Sequence, residues 1–316
     1  MRLLITRPMP AEVQDRATAA FDCEIRERNA PLDRGELINA LQGFDAVMPT
    51  LGDRFTSEIF DAAQQPRCKV LANFGVGYNH IDVAAARAVG IAVSNTPGAV
   101  TDATADIAMT LILMSARRAG EGERLVRAGR WQGWHPTQLL GMHVTGRTVG
   151  IVGMGRIGQA IARRCHYGFG MTVHYHSRSA KTVEFPAQRA GSLAELASGV
   201  DVLVAAVPGS PQTHHLIDAD VLAAMRPGAY LVNISRGNVV DETALIDALC
   251  QRRIAGAGLD VYEFEPQVPQ ALIDMENVVL LPHLGTGALD VRTAMGHMAL
   301  DNVAAFFDGA ELPNPV

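Results

Sequence analysis

Four apolar runs in the second half of the chain end at what read as strand ends, and three of them carry there a residue able to bind charge or move a proton. They are Ala206-Val207-Pro208, Asn233-Ile234-Ser235-Arg236-Gly237, Leu259-Asp260 continuing to Glu265-Pro266, and Leu281-Pro282-His283-Leu284-Gly285. Arg236 offers a planar fork suited to a carboxylate, and His283 is of the type that changes charge near neutral pH. Glu265 can orient such an imidazole by accepting a hydrogen bond from one ring nitrogen. Read singly, each has a plain alternative: a surface cation, a solvated loop charge, a core or surface histidine. What joins them is their place at strand ends, because ligands of open α/β sheets sit beyond the carboxyl ends of the strands.

A fifth strand end carries a different signal. Val149-Gly150-Ile151-Val152 runs into Gly153-Met154-Gly155-Arg156-Ile157-Gly158, a G-x-G-x-x-G turn. Gly153 permits the tight turn, Gly155 lets backbone approach a pyrophosphate, and Gly158 lets the following helix (Arg156 to Cys165) pack on the strand. That helix then points its first free N–H groups, from Arg156 and Ile157 onward, at the phosphates. An NAD site usually carries an acid about 20 residues on, against the ribose 2′-hydroxyl. The second strand here is followed by Ser177-Arg178-Ser179-Ala180-Lys181, without an acid. Its hydroxyls and two cations suit a 2′-phosphate, the alternative being a solvated basic loop. The expected cofactor is therefore NADP(H), with NAD(H) as the weaker alternative. An Arg, a carboxylate and a His beside a nicotinamide are what reduction of a 2-oxo acid requires.

The elements that must position these residues form two series. The first hundred residues carry strands at Arg2–Thr6, Asp45–Met48, Lys69–Asn73 and Ile91–Ser94, alternating with helical segments. The breaker Asn95-Thr96-Pro97-Gly98 precedes a long helix beginning near Thr101, with Ile107, Leu111, Met114 and Ser115 on one face. The second series has strands at Thr148–Val152, Thr172–His176, Val202–Ala205, Tyr230–Asn233, Gly256–Asp260 and Val278–Leu281. Several are continuously apolar, as parallel strands covered on both faces are. A last helix, Ala288 to Phe307, is expected to return to the first domain. The fold class is α/β with two doubly wound parallel-sheet domains. A Rossmann dinucleotide-binding domain (residues 99–287) is inserted in a flavodoxin-like substrate-binding domain (residues 1–98 and 288–316).

Bulk properties narrow the function classes. The 316 residues are 48% hydrophobic and 19% charged, the profile of a folded soluble protein. A net charge of −6 and no dense Lys/Arg run argue against a nucleic-acid partner. No apolar run is long enough for a membrane span, and the N-terminus lacks a secretory signal, so the expected location is cytoplasmic. Cys23, Cys68, Cys165 and Cys250 are scattered and read as reduced structural thiols. The histidines show no metal spacing, His214-His215 reads as a loop pair, and no metal is expected.

The chain resembles the D-isomer-specific 2-hydroxyacid dehydrogenases and, among them, the glyoxylate/hydroxypyruvate reductases. The resemblance rests on the segments above, on Asn73-Phe74-Gly75-Val76-Gly77-Tyr78-Asn79-His80-Ile81-Asp82, and on Thr96-Pro97-Gly98 through Asp106. It implies that Arg236, Glu265 and His283 are the catalytic residues. Arg236 would bind the substrate carboxylate and polarise the 2-oxo group. His283 would protonate the carbonyl oxygen as hydride arrives, and Glu265 would hold the other ring nitrogen. It further implies substrate contacts from Leu51, Gly52, Val76 and Gly77, with Arg236 and His283. Cofactor contacts would come from Thr104, Gly153, Gly155, Arg156, Ile157, Gly158, Ser177, Arg178, Ser179, Val207, Pro208, Ile234, Ser235, Arg236, Asp260, His283 and Gly285. A homodimer is a further implication, and Trp134 either reaches the neighbouring copy or is an ordinary buried aromatic. Within the family a formate dehydrogenase is disfavoured, because Glu265 stands where that enzyme has Gln. A 2-ketogluconate reductase and a phosphoglycerate dehydrogenase-like enzyme are alternatives. A non-enzymatic dinucleotide-sensing scaffold is the alternative from another class.

Overall fold

Short runs of Val, Leu, Ile and Ala make the central strands, because parallel strands are covered on both faces and side chains of either parity must be apolar. The computed structural model describes all 316 residues, which divide into two units. The smaller comprises Met1–Val100 and Thr286–Val316, the larger Thr101–Gly285.

In the smaller unit, β1 (Arg2–Ile5), β2 (Asp22–Ile25), β3 (Ala46–Met48), β4 (Val70–Ala72) and β5 (Ala92–Ser94) form a parallel sheet in the order β2-β1-β3-β4-β5. This is the flavodoxin-like order, with its switch point between β1 and β3. Helices α1 (Ala11–Ala20), α2 (Arg34–Gly43), α3 (Ser57–Ala62) and α4 (Val83–Ala88) connect the strands. A capping box fixes the start of α2: the Glu36 N–H donates to the Asp33 carboxylate, and the Asp33 N–H donates back to Glu36. The sequence reading omits β2. Its residues Asp-Cys-Glu-Ile alternate between exposed and half-buried at the sheet edge, without the apolar run of a central strand.

The larger unit begins with α5 (Thr101–Ala116) and α6 (Ala119–Arg127). Then follow β6 (Thr148–Val152), α7 (Arg156–Phe169), β7 (Thr172–His176), β8 (Ala187–Arg189), α8 (Leu193–Gly199), β9 (Val202–Ala205) and α9 (Ala219–Ala224). The unit ends with β10 (Tyr230–Asn233), α10 (Glu242–Cys250), β11 (Gly256–Leu259), α11 (Gln270–Asp274) and β12 (Val278–Leu280). The sheet is parallel throughout, in the order β12-β11-β10-β9-β6-β7-β8. The strand order reverses between β6 and β9, which sets the ligand crevice of such sheets beyond Val152 and Ala205. Here too the omitted strand, β8, is a short polar edge.

Helix α5 is more buried than a single apolar face requires. Only Asp102, Asp106 and Thr110, four residues apart, form an exposed stripe, while Thr104, Ala105, Ala108, Met109, Leu111, Ile112, Ser115 and Ala116 are buried. The buried face is therefore wider than the expected Ile107, Leu111, Met114 and Ser115. Helix α7 runs four residues past the expected end, to a left-handed Gly170 cap. The final helix, α12 (Leu289–Phe307), packs in the smaller unit against α1 and β4. Gly296 allows the close approach: a Cβ there would lie 2.5 Å from Val13. Trp134 is 80% exposed, which rules out the buried-aromatic reading. No helix is long and apolar enough to cross a membrane.

Strand β6 and helix α7 meet at Gly158, where a Cβ would lie 2.0 Å from the Gly153 carbonyl oxygen. Gly158→Ala is expected to destabilise the protein by roughly 1–3 kcal/mol or more, the cost of overpacking a rigid contact. Denaturant unfolding of the variant checks this.

Candidate active site

His283 occupies a backbone conformation that L-residues rarely adopt, with φ +54°. Asp260, the first residue after β11, holds it there. The Asp260 carbonyl accepts from the His283 N–H at 3.0 Å. Its carboxylate accepts from the Leu284 N–H at 2.6 Å and the Gly285 N–H at 2.8 Å. Burial pushes the Asp260 carboxyl above the ordinary aspartate range, opposed by the Leu284 amide, the His283 charge and the Gly285 amide. Thr104, on α5, closes the other side: its hydroxyl donates to the Gly285 carbonyl at 3.2 Å.

Glu265 meets the imidazole from the neighbouring loop. Its Oε2 lies 2.9 Å from His283 Nδ1, and its Oε1 accepts from the Tyr262 N–H at 3.1 Å. Burial acts to raise its pKa, but the His283 hydrogen bond and charge, the Tyr262 amide and the Arg236 charge together hold it below the usual glutamate range. The carboxylate is thus ionised at neutral pH and fixes Nδ1, which leaves Nε2 for a substrate.

Arg236 follows β10 and is placed by three groups. Asn233 accepts from the Ser235 N–H and hydroxyl, and its amide donates to the Arg236 carbonyl at 3.0 Å. The Arg236 Nη1 donates to the Ser235 carbonyl at 2.7 Å. Gly209 lies under the side chain, where a Cβ would be 2.7 Å from Arg236 Cγ. Desolvation lowers the guanidinium pKa and the Glu265 charge opposes it; an arginine stays protonated all the same. Gly237 brings this loop onto the one bearing Glu265, since a Cβ there would be 1.8 Å from the Tyr262 carbonyl carbon. Neither Asn233, Gly209 nor Gly237 is among the site residues read from sequence. Asn233 and Gly237 stand in a quoted motif, but a glycine required by space alone looks like any other.

The glycine turn after β6 separates its three roles. Gly153 has φ +98°, and a Cβ there would strike Val207 at 2.6 Å. That contact ties the β6 turn to the Val207-Pro208 end of β9. Gly155 differs: its φ of −81° suits any residue, and a Cβ would meet nothing within 4 Å. Neither conformation nor packing within the chain requires glycine there, so the space at the N-terminus of α7 is free for a ligand's phosphates. The residues fit a dinucleotide.

Past β7, the Ser177 hydroxyl donates to the Ser179 carbonyl at 2.6 Å. Arg189, from the unanticipated β8, donates to the carbonyls of Ser177 (2.9 Å) and Arg178 (3.3 Å). It adds a third cation to Arg178 and Lys181 at this strand end. Ile234 and Ser235 are buried between β10 and Arg236.

The four remaining sequence-assigned residues belong to the smaller unit. Leu51 and Gly52 form a turn pinned by buried Asp53, which accepts from the Thr50 and Leu32 amides and the Thr6 hydroxyl. Val76 and Gly77 follow β4. Their turn directs carbonyls onto side-chain amides: Asn73 Nδ2 donates to Gly75 and Gly77, and Asn95 Nδ2 to Val76. No hydrogen bond within the chain takes up the N–H groups of Val76 and Gly77, which leaves two adjacent donors of the kind that bind anions.

Residues 109–285 match the family described as "D-isomer specific 2-hydroxyacid dehydrogenase, NAD binding domain". The chain is 42% identical over 322 residues to a glyoxylate reductase of Thermococcus onnurineus, covering 100% of this chain and 95% of that protein. It is 36% identical to a glycerate dehydrogenase of Hyphomicrobium methylovorum, covering 98% and 97% of the two. Among solved structures, it resembles an NADPH-dependent glyoxylate/hydroxypyruvate reductase of Sinorhizobium meliloti in complex with NADP and malonate. That match has a TM-score of 0.88 at 37% identity and covers 100% of this chain and 96% of that one. A histidine held by a carboxylate beside a half-buried arginine, all at strand ends next to a dinucleotide turn, therefore has full-length relatives, and the chain belongs to the D-isomer-specific 2-hydroxyacid dehydrogenase family.

Proposed function

We propose that this protein reduces small 2-oxo acids, glyoxylate and hydroxypyruvate foremost, to the corresponding 2-hydroxy acids with NADPH. The observation that carries the reading is the His283 Nδ1–Glu265 Oε2 pair at 2.9 Å with Arg236 on the adjoining loop. The names of the Thermococcus and Sinorhizobium relatives support the substrate class.

A bound nicotinamide cofactor supplies the hydride. Arg236 binds the substrate carboxylate with its fork and draws electron density from the 2-oxo oxygen. His283, as imidazolium, gives its Nε2 proton to that oxygen as the carbon is reduced, so that one hydride and one proton convert the C=O to CH–OH. The neutral imidazole left behind regains a proton from solvent for the next cycle. Glu265 keeps Nδ1 protonated and the ring in place throughout. The amides of Val76 and Gly77, with the Leu51-Gly52 turn, are assigned to the substrate's carboxylate.

The preference for NADPH rests on the missing acid after β7 and on Arg178, Lys181 and Arg189, with Ser177 and Ser179, as partners for a 2′-phosphate. The name and bound cofactor of the Sinorhizobium relative support it. A homodimer fits the exposed apolar surface of one segment, where Trp131, Trp134 and Leu140 are 53%, 80% and 67% exposed.

His283→Ala is expected to lower kcat with glyoxylate by at least about 100-fold, the scale of general-acid catalysis, while NADPH still binds. Retained turnover would refute the role. Arg178→Ala is expected to raise the Kd for NADPH by roughly tenfold, the loss of one charge-assisted contact of about 1.5 kcal/mol, and to leave that for NADH unchanged. Equal weakening of both cofactors would contradict the 2′-phosphate assignment.

A further inference from the structure

Consecutive residues of an extended chain point their side chains apart, yet His214 and His215 do not. His214 is extended (φ −64°, ψ 125°), and His215 is left-handed, with φ +47°. The kink brings the two rings to 4.0 Å between centroids, inclined at 31°. The His215 N–H donates to the Asn238 carbonyl at 2.8 Å and so anchors the kink to the loop after Arg236. A left-handed β-carbon-bearing residue costs about 1–2 kcal/mol.

The kink aims both imidazoles at Glu263. His215 Nε2 lies 2.8 Å from Glu263 Oε1, and one ligand atom each from His214, His215 and Glu263 fall within 4.8 Å of one another. Behind the ring, Asp241 Oδ2 stands 3.9 Å from His215 Nδ1. At that separation the carboxylate does not hydrogen-bond the ring; it adds negative charge on the side of the imidazole away from an ion. Glu263 is held in turn by its own N–H, which donates to Glu242 at 3.3 Å. His214 is exposed, so the site is open to solvent and able to close by side-chain rotation.

We propose that His214, His215 and Glu263 form a site for a divalent late transition-metal ion, with Zn2+ as the fitting example. Two imidazoles and one carboxylate are the donors such ions take. Ca2+ and Mg2+ require sets of oxygen ligands that are not present here. Three protein ligands leave a fourth tetrahedral position for water. With metal–ligand bonds of about 2.0 Å, tetrahedral ligand atoms lie roughly 3.3 Å apart, so the His215–Glu263 pair, now at 2.8 Å, opens slightly and His214 moves in. The ion takes the place of the proton between His215 Nε2 and Glu263 Oε1 and releases it, and so binds more tightly as pH rises. It cross-links the segment after β9 to the loop after β11 that also carries Glu265. The site is separate from the reductase chemistry and uses none of its residues.

The test is calorimetric titration of the full-length, chelator-treated protein with Zn2+, with Mg2+ as control, together with the absorption spectrum of the Co2+ form. One Zn2+ per chain, no Mg2+ heat and the visible bands of tetrahedral Co2+ are expected. His214→Ala, at an exposed position, is expected to keep the wild-type melting temperature and to weaken Zn2+ at least tenfold. Glu263→Gln is expected to do the same to affinity, and Zn2+ is expected to raise the melting temperature of wild type only. Absence of Zn2+ binding at millimolar concentration, or binding that both substitutions leave intact, would overturn the proposal.

Discussion

The clamp of Asp260 on the loop behind it is the interaction on which the site depends. His283 is held left-handed, at a cost of about 1–2 kcal/mol for a residue with a β-carbon. Against this stand two hydrogen bonds from the Leu284 and Gly285 amides to a buried carboxylate, each worth about 1.5–3 kcal/mol. The clamp outweighs the strain. Backbone strain persists where its surroundings over-determine it, and here those surroundings are a single aspartate and the Thr104 hydroxyl. The orientation that results brings Nδ1 to Glu265.

The other components follow from the closeness of strand ends in a parallel sheet. Strands β10 and β11 are hydrogen-bonded in register, Asn233 opposite Leu259, so the loops that follow them start side by side. Gly237 lets them touch, and Gly209 lets the end of β9 lie under the Arg236 side chain. A cation, an anion and an imidazole thus share a small partly buried space, and each charge stabilises the next. Desolvation acts to raise the Glu265 pKa, and the His283 hydrogen bond and charge, the Tyr262 amide and the Arg236 charge outweigh it.

Much of this was legible in the sequence, and for a definable reason. Residues such as Arg236, Glu265 and His283 stand out because each interrupts an apolar run where parallel strands present their carboxyl ends. Gly153 and Gly158 were legible through their spacing. Strands β2 and β8 were not, because an edge strand covered on one side keeps polar residues and loses the apolar run. Losing β8 also hid Arg189. Gly209 and Gly237 stayed hidden because their need is a contact with residues distant in sequence. The His214-His215 pair was read as a loop, and it is one. Its neighbour Glu263, 48 residues on, is brought up by β10 and β11 and by no spacing rule.

The account makes the geometry of one imidazole the condition for reduction, and Asp260 the condition for that geometry. The most direct measurement is kcat of Asp260→Asn with glyoxylate under saturating NADPH, alongside the Kd for NADPH. An amide in place of the carboxylate removes the charge and turns an N–H group toward one backbone N–H. The account predicts a fall in kcat of roughly tenfold to hundredfold, the weight of one charge-assisted bond of about 1.5–3 kcal/mol, with the Kd changed far less. A kcat equal to wild type, or a loss confined to cofactor affinity, would contradict it.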